Sequence, residues 1–168
     1  MKKTISSLVI TALLLLPSAA FAETTQNIDT NSLGYGKSAD NAVFDTEKAP
    51  FKEFSPSAVS GEGITLSAVA PFYTAVSDFH GDTGDSISNA WTDSSQSKRM
   101  NIDHIGARSV VYLNKGYVGT NSNHRYNENQ AYSYVTVPNA FFNDGEVYGY
   151  HAFEQSGFTS WYPETYGT

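Results

Sequence analysis

Apolar and small polar residues alternate with a period of two through most of residues 63–162, and clusters of Gly, Asn and Asp interrupt the alternation at short intervals. A period of two sends successive side chains to opposite faces of an extended chain, so the pattern selects strands with one buried face. Ile64-Thr65-Leu66-Ser67-Ala68-Val69 alternates, Pro71 breaks the run, and residues 72–76 resume it. A turn cluster at 81–84 precedes Ile87-Ser88-Asn89-Ala90-Trp91-Thr92. Residues 102–113 set Ile105, Ala107, Val111 and Leu113 on one face, and Asn114-Lys115-Gly116 reads as a hairpin turn with Gly supplying positive φ. Residues 121–130, with Asn at 121, 123, 127 and 129, read as a loop. Residues 131–137 form a strand, Asn143-Asp144-Gly145 a second hairpin turn, residues 147–153 the return strand, and residues 158–162 a last short strand. No window after Ser60 has helical periodicity with caps. The expectation is an all-β chain, an antiparallel β-sandwich or small barrel of about seven to nine short strands.

The front of the chain reads differently. Met1-Lys2-Lys3, an apolar run over residues 5–16 and Ala20-Phe21-Ala22 have the layout of a signal peptide covering residues 1–22. The run is shorter than the roughly 20 residues of a spanning helix, so an exported product without a membrane anchor is expected. Residues 23–62 read as a flexible acidic leader or linker, and residues 63–168 as the β domain. Within the leader, Phe44, Phe51 and Phe54 lie around Pro50 and Pro56, which favour an extended strip docked on the neighbouring core.

The 168 residues carry 17 Asp and Glu against 10 Lys and Arg, a formal charge of −7. That balance excludes a counterion-displacing nucleic-acid binder, so no nucleic-acid partner is expected. The absence of cysteine excludes disulfides, thiolate metal sites and a cysteine nucleophile. No Gly-x-Ser-x-Gly elbow occurs, and His80, His104, His124 and His151 are scattered, so no catalytic constellation emerges. With Ile105 and Ala107 facing inward, His104 falls on the other, exposed face of its strand. Asp78, Asp82 and Asp85 form an oxygen-rich turn that is a weak candidate for calcium, although the spacing is not that of an EF-hand and a solvated turn explains it. No other cofactor is expected.

The aromatic tail carries the functional signal. Residues 104–168 hold nine Tyr, four Phe and one Trp of the 23 aromatic residues. In Tyr132-Ser133-Tyr134-Val135-Thr136-Val137 both tyrosines share one face and both valines the other. If the valines are core, Tyr132 and Tyr134 are outside, and a pairing strand through Tyr148 and Tyr150 extends the patch. Tyr132, Tyr134, Tyr148, Tyr150 and Trp161 are therefore the expected ligand-binding residues. Such a face suits sugar rings or a protein hot spot. The reading is a secreted, non-enzymatic β module whose partner is an extracellular or envelope glycan or protein.

The plan of a signal peptide, a short cysteine-free β chain and an aromatic end also resembles small secreted bacteriocins of the lactococcin-972 type. The likeness covers the last third and rests on Tyr132-Ser133-Tyr134 and Trp161-Tyr162. It implies an alternative, an antagonist acting on the envelope of other cells, and carries no functional residue across.

Overall fold

The computed structural model describes residues 42–59, 69–138 and 145–168. In chain order the strands are β1 (Ala42–Asp45), β2 (Phe51–Phe54), β3 (Phe72–His80), β4 (Thr83–Trp91), β5 (Ile102–Leu113), β6 (Gly116–Glu128), β7 (Gln130–Thr136), β8 (Gly145–Glu154) and β9 (Ser160–Gly167). They form a five-stranded sheet, β1-β9-β8-β5-β6, packed on a four-stranded sheet, β2-β3-β4-β7. The chain is an all-β sandwich with no helix among the described residues. Every strand pair is antiparallel except β1 with β9.

Several elements sit where the alternation places them. Residues 102–113 are β5 end to end, and the turn after it carries positive φ at Asn114 and Lys115, the two central positions of a hairpin turn whose twist matches its strands. Gly116, assigned that role from sequence, instead opens β6. The segment read as an Asn-rich loop is also strand, forming most of β6. The strip around Phe51 is part of the sandwich as well. β1 and β2 border β9 and β3, and the chain between them crosses from one sheet to the other, held by an ion pair from Lys52 to Asp45. Residues 42–59, assigned to the leader from sequence, therefore close one side of the fold. The expected signal peptide, residues 60–68 with most of the expected Ile64 strand, and Asn143 and Asp144 lie outside the described residues.

The space between the sheets has three zones. At one end Tyr73 stacks on Phe153 at 4.7 Å, Phe153 on Trp161 at 5.2 Å, and Phe54 of β2 on Trp161 at 5.3 Å. Ala75, Ala90, Ala107 and Ala131 belong to the same buried cluster. At the other end Val111, Val137 and Val147 pack with Phe79, Leu113 and Val135. The middle is polar, lined by Ser77, Ser86, Ser88, Ser109, Ser133, His151 and Thr165, all buried. Large aromatics and branched aliphatics thus bracket a band of small hydroxyl side chains.

Candidate functional site

The expected tyrosine patch divides between two opposite faces. Alternation along β8 sends Val147, Gly149, His151 and Phe153 inward and Tyr148 and Tyr150 outward. β8 pairs with β5 and β9, however, and β7 with β4, so Tyr132 and Tyr134 belong to the other sheet. The single patch anticipated across the turn before Gly145 does not form. Trp161 is on neither face: it is 1% exposed and anchors the aromatic core, because its strand position points between the sheets.

On the outer face of the five-stranded sheet, Tyr148 and Tyr150 join residues that sequence reasoning passed over. Tyr117 of β6, Tyr112 of β5, Tyr148 of β8 and Tyr166 of β9 form a continuous ladder across four strands. Successive ring centres lie 5.9, 5.6 and 4.9 Å apart, at interplanar angles of 71°, 81° and 56°. Edge-to-face contact suits the aromatic quadrupole and holds each ring through its neighbour. Tyr148 donates to Glu146 at 3.3 Å, and the Lys48 ammonium lies 5.0 Å from the Tyr148 ring centre. Tyr150 lies in register with Arg108 on one side and Glu164 on the other. Burial, then Glu146, pushes Tyr148 up to about 12, while burial, then Glu164, does the same for Tyr150. Both hydroxyls stay protonated at neutral pH, and that of Tyr148 is engaged as a donor to Glu146. The signal for Tyr112, Tyr117 and Tyr166 was the same alternation, but seeing it requires knowing which strands are neighbours.

The same face ends in a histidine cluster. His104 lies opposite the core face as expected, yet it is 3% exposed rather than open. Tyr126 covers it at 4.9 Å, its Nε2 meets Nδ1 of His124 at 3.1 Å, and its Nδ1 lies 3.3 Å from Glu154. The 5.4 Å between the two imidazole centres is that nitrogen separation plus one ring radius on each side, so the rings meet head-on through their nitrogens. Glu154 accepts from Tyr162 at 2.8 Å, and Phe44 stacks on Tyr162. Burial, then the neighbouring His104, lowers the His124 pKa, while Glu154 opposes them.

On the four-stranded sheet, Tyr132 and Tyr134 are 40% and 50% exposed, with rings stacked at 5.6 Å. Tyr132 donates to Asp85 at 3.2 Å. Asp85 faces Asp78 across β3 and β4, while Asp82 sits in the connecting turn and accepts from Thr83. The turn places Asp82 off the face shared by the other two. Among the described residues no three His, Asp or Glu side chains are grouped to hold a metal ion.

Among the described residues, a serine and histidine contact is sealed inside. Ser88 donates to the Gly106 carbonyl at 2.6 Å, which leaves its oxygen to accept from Nδ1 of His151 at 2.8 Å. Nε2 of His151 then accepts from Thr165 at 2.7 Å, Thr165 from Ser77, and Ser77 from Ser86 at 2.9 Å. Each hydroxyl proton has one direction left, so the chain fixes a neutral imidazole in a single tautomer. Burial, then Lys52, pushes the His151 pKa down to about 3. With His151 at 1% exposure no substrate reaches this pair, and its role is to order the core.

No protein-family model matches the chain, and no curated protein or solved structure matches it. Among the described residues no helix is long and apolar enough to cross a membrane.

Proposed function

We propose that the chain is a non-enzymatic, exported β module that binds glycan through the tyrosine face of its five-stranded sheet. The observation that carries this reading is the ladder Tyr117-Tyr112-Tyr148-Tyr166, four rings in contact across four strands. Neighbouring strands are about 4.8 Å apart, so the ladder repeats at a spacing comparable to one sugar ring in an extended chain. Tyrosine supplies apolar area for the C–H faces of a sugar and a hydroxyl for its rim. Glu146, Glu164, Arg108 and Lys48 border the ladder with charged acceptors and donors suited to sugar hydroxyls. Tyr148 and Tyr150 are the members expected from sequence; Tyr132, Tyr134 and Trp161 lie outside this surface.

Co-sedimentation of the exported protein with insoluble cell-wall polysaccharide tests the reading. The expected result is binding that falls at least tenfold in a Tyr117→Ala, Tyr148→Ala double variant whose sheet spectrum is unchanged. Loss of the two stacking partners at about 1 kcal/mol each corresponds to roughly thirtyfold and accounts for that factor. Equal binding by the variant overturns the assignment of the face, and growth inhibition of related cells by purified protein favours the antagonist reading instead.

A further inference from the structure

The opposite face of the sandwich carries a second, chemically different surface. Register across the four-stranded sheet aligns Phe51 of β2, Val76 of β3, Ile87 of β4 and Tyr132 of β7 in one row. Phe51 is 46% exposed and Tyr132 40% exposed, with Val76 and Ile87 half-buried between them. At the usual strand spacing this apolar row runs about 14 Å across the sheet. Carboxylates flank it on both sides. Asp78 and Asp85 are direct cross-strand partners in the row that ends at Tyr134, and Glu53 borders Thr74 and Asn89 in the row on the other side. Like charges directly opposite each other oppose strand pairing. Among the described residues, His80 lies 3.7 Å from Asp78 and Arg99 lies over the Trp91 ring.

We infer that this row is a docking surface for a cationic, partly apolar polypeptide segment lying across the strands of the four-stranded sheet. Apolar side chains of the segment would cover Phe51, Val76, Ile87 and Tyr132, and its Lys or Arg side chains would reach the exposed Asp78 on one side and Glu53 on the other, with the buried Asp85 beside Asp78 adding to the negative field. The charge complementarity selects this occupant over an acidic surface, which the carboxylates repel, and adds an attraction that a neutral sugar lacks. The inference is independent of glycan binding on the five-stranded sheet.

The probe is a short synthetic peptide in which pairs of lysines alternate with pairs of valines, so that both types of side chain face the sheet, titrated into the isotope-labelled exported protein, with the glutamate–valine counterpart as control. Expected are amide shifts confined to β2, β3, β4 and β7 for the lysine peptide alone, with affinity that weakens as salt is added. Asp78→Asn should weaken binding by up to about fivefold, the range of one exposed charge contact, and Asp85→Asn, at a buried carboxylate held by Tyr132, should weaken it less. Phe51→Ser should weaken it further while leaving the melting temperature close to that of the parent. Four results overturn the inference: no binding, equal binding of the glutamate peptide, shifts on the five-stranded sheet, or the same shifts produced by a neutral oligosaccharide. Concentration-dependent self-association removed by Phe51→Ser overturns it as well, because the occupant is then a second copy of the chain.

Discussion

Gly149 shows how narrowly the buried hydrogen-bond chain is fitted. A Cβ built there meets the hydroxyl oxygens of Ser77 and Thr165 and Nε2 of His151, three members of that chain. A methyl group has no flexible neighbour to displace, because each of those atoms is committed to a partner. Gly149→Ala should therefore lower stability by at least about 1–3 kcal/mol, read as a drop in melting temperature, although alanine favours strand geometry over glycine. The aromatic residues divide as sharply. Trp161→Ala removes the ring that Phe54 and Phe153 stack on and should lose about 3–5 kcal/mol. Tyr134→Ala, on an exposed ring, should lose about 1 kcal/mol or less. Denaturant titration of the two variants checks the contrast, and equal losses contradict the assignment of Trp161 to the core and Tyr134 to the surface.

At the scale of elements, the Asn-rich stretch is the instructive departure. Asn121 and Asn123 donate from their side chains to the carbonyls of Tyr134 and Tyr132 at 3.0 and 2.9 Å, and Ser133 donates back to the Asn121 carbonyl. Strand β6 ends one sheet and β7 ends the other, so side-chain amides take the place of a missing neighbour and close that side of the sandwich. An Asn-to-Ala pair at 121 and 123 should lose about 1 kcal/mol per bond and raise aggregation, measured by unfolding and light scattering. Nothing in local composition distinguishes asparagines that cap an edge from asparagines in a loop, which is why the alternation of residues 102–113 was legible and β6 was not. The same limit governs the candidate site. Period two placed Tyr132 and Tyr134 outward together, and Tyr148 and Tyr150 outward together. Which pair shares a sheet with Tyr112, Tyr117 and Tyr166 depends on strand order, and strand order is set by long-range packing. Trp161 failed for a related reason: with small residues on facing strands, the room for an indole lies inside.

For the whole molecule, a polar band across the middle of the core makes stability sensitive to acid. His151 is held neutral, with its pKa pushed from 6.5 down to about 3 by burial and then by Lys52. The unfolded chain takes up this proton near pH 6.5, whereas the folded chain resists it until about pH 3. Stability from this group is therefore complete above pH 6.5 and is lost progressively as pH falls toward 3. Lowering the pH from 7 to 4 should remove about 3 kcal/mol through His151 alone, at roughly 1.4 kcal/mol per pH unit. His124, lowered by burial and by His104, adds in the same direction. Asp85 and Glu164, raised chiefly by burial, act oppositely, because the folded state holds their protons more tightly. Unfolding free energies measured at pH 7 and pH 4 should thus differ in favour of neutral pH. In His151→Gln the side chain can still hydrogen-bond but no longer titrates, so the variant should start from a lower stability and lose most of the difference between the two pH values. A variant as acid-sensitive as the parent would mean that the acid response arises on the surface and that the buried imidazole does not control it.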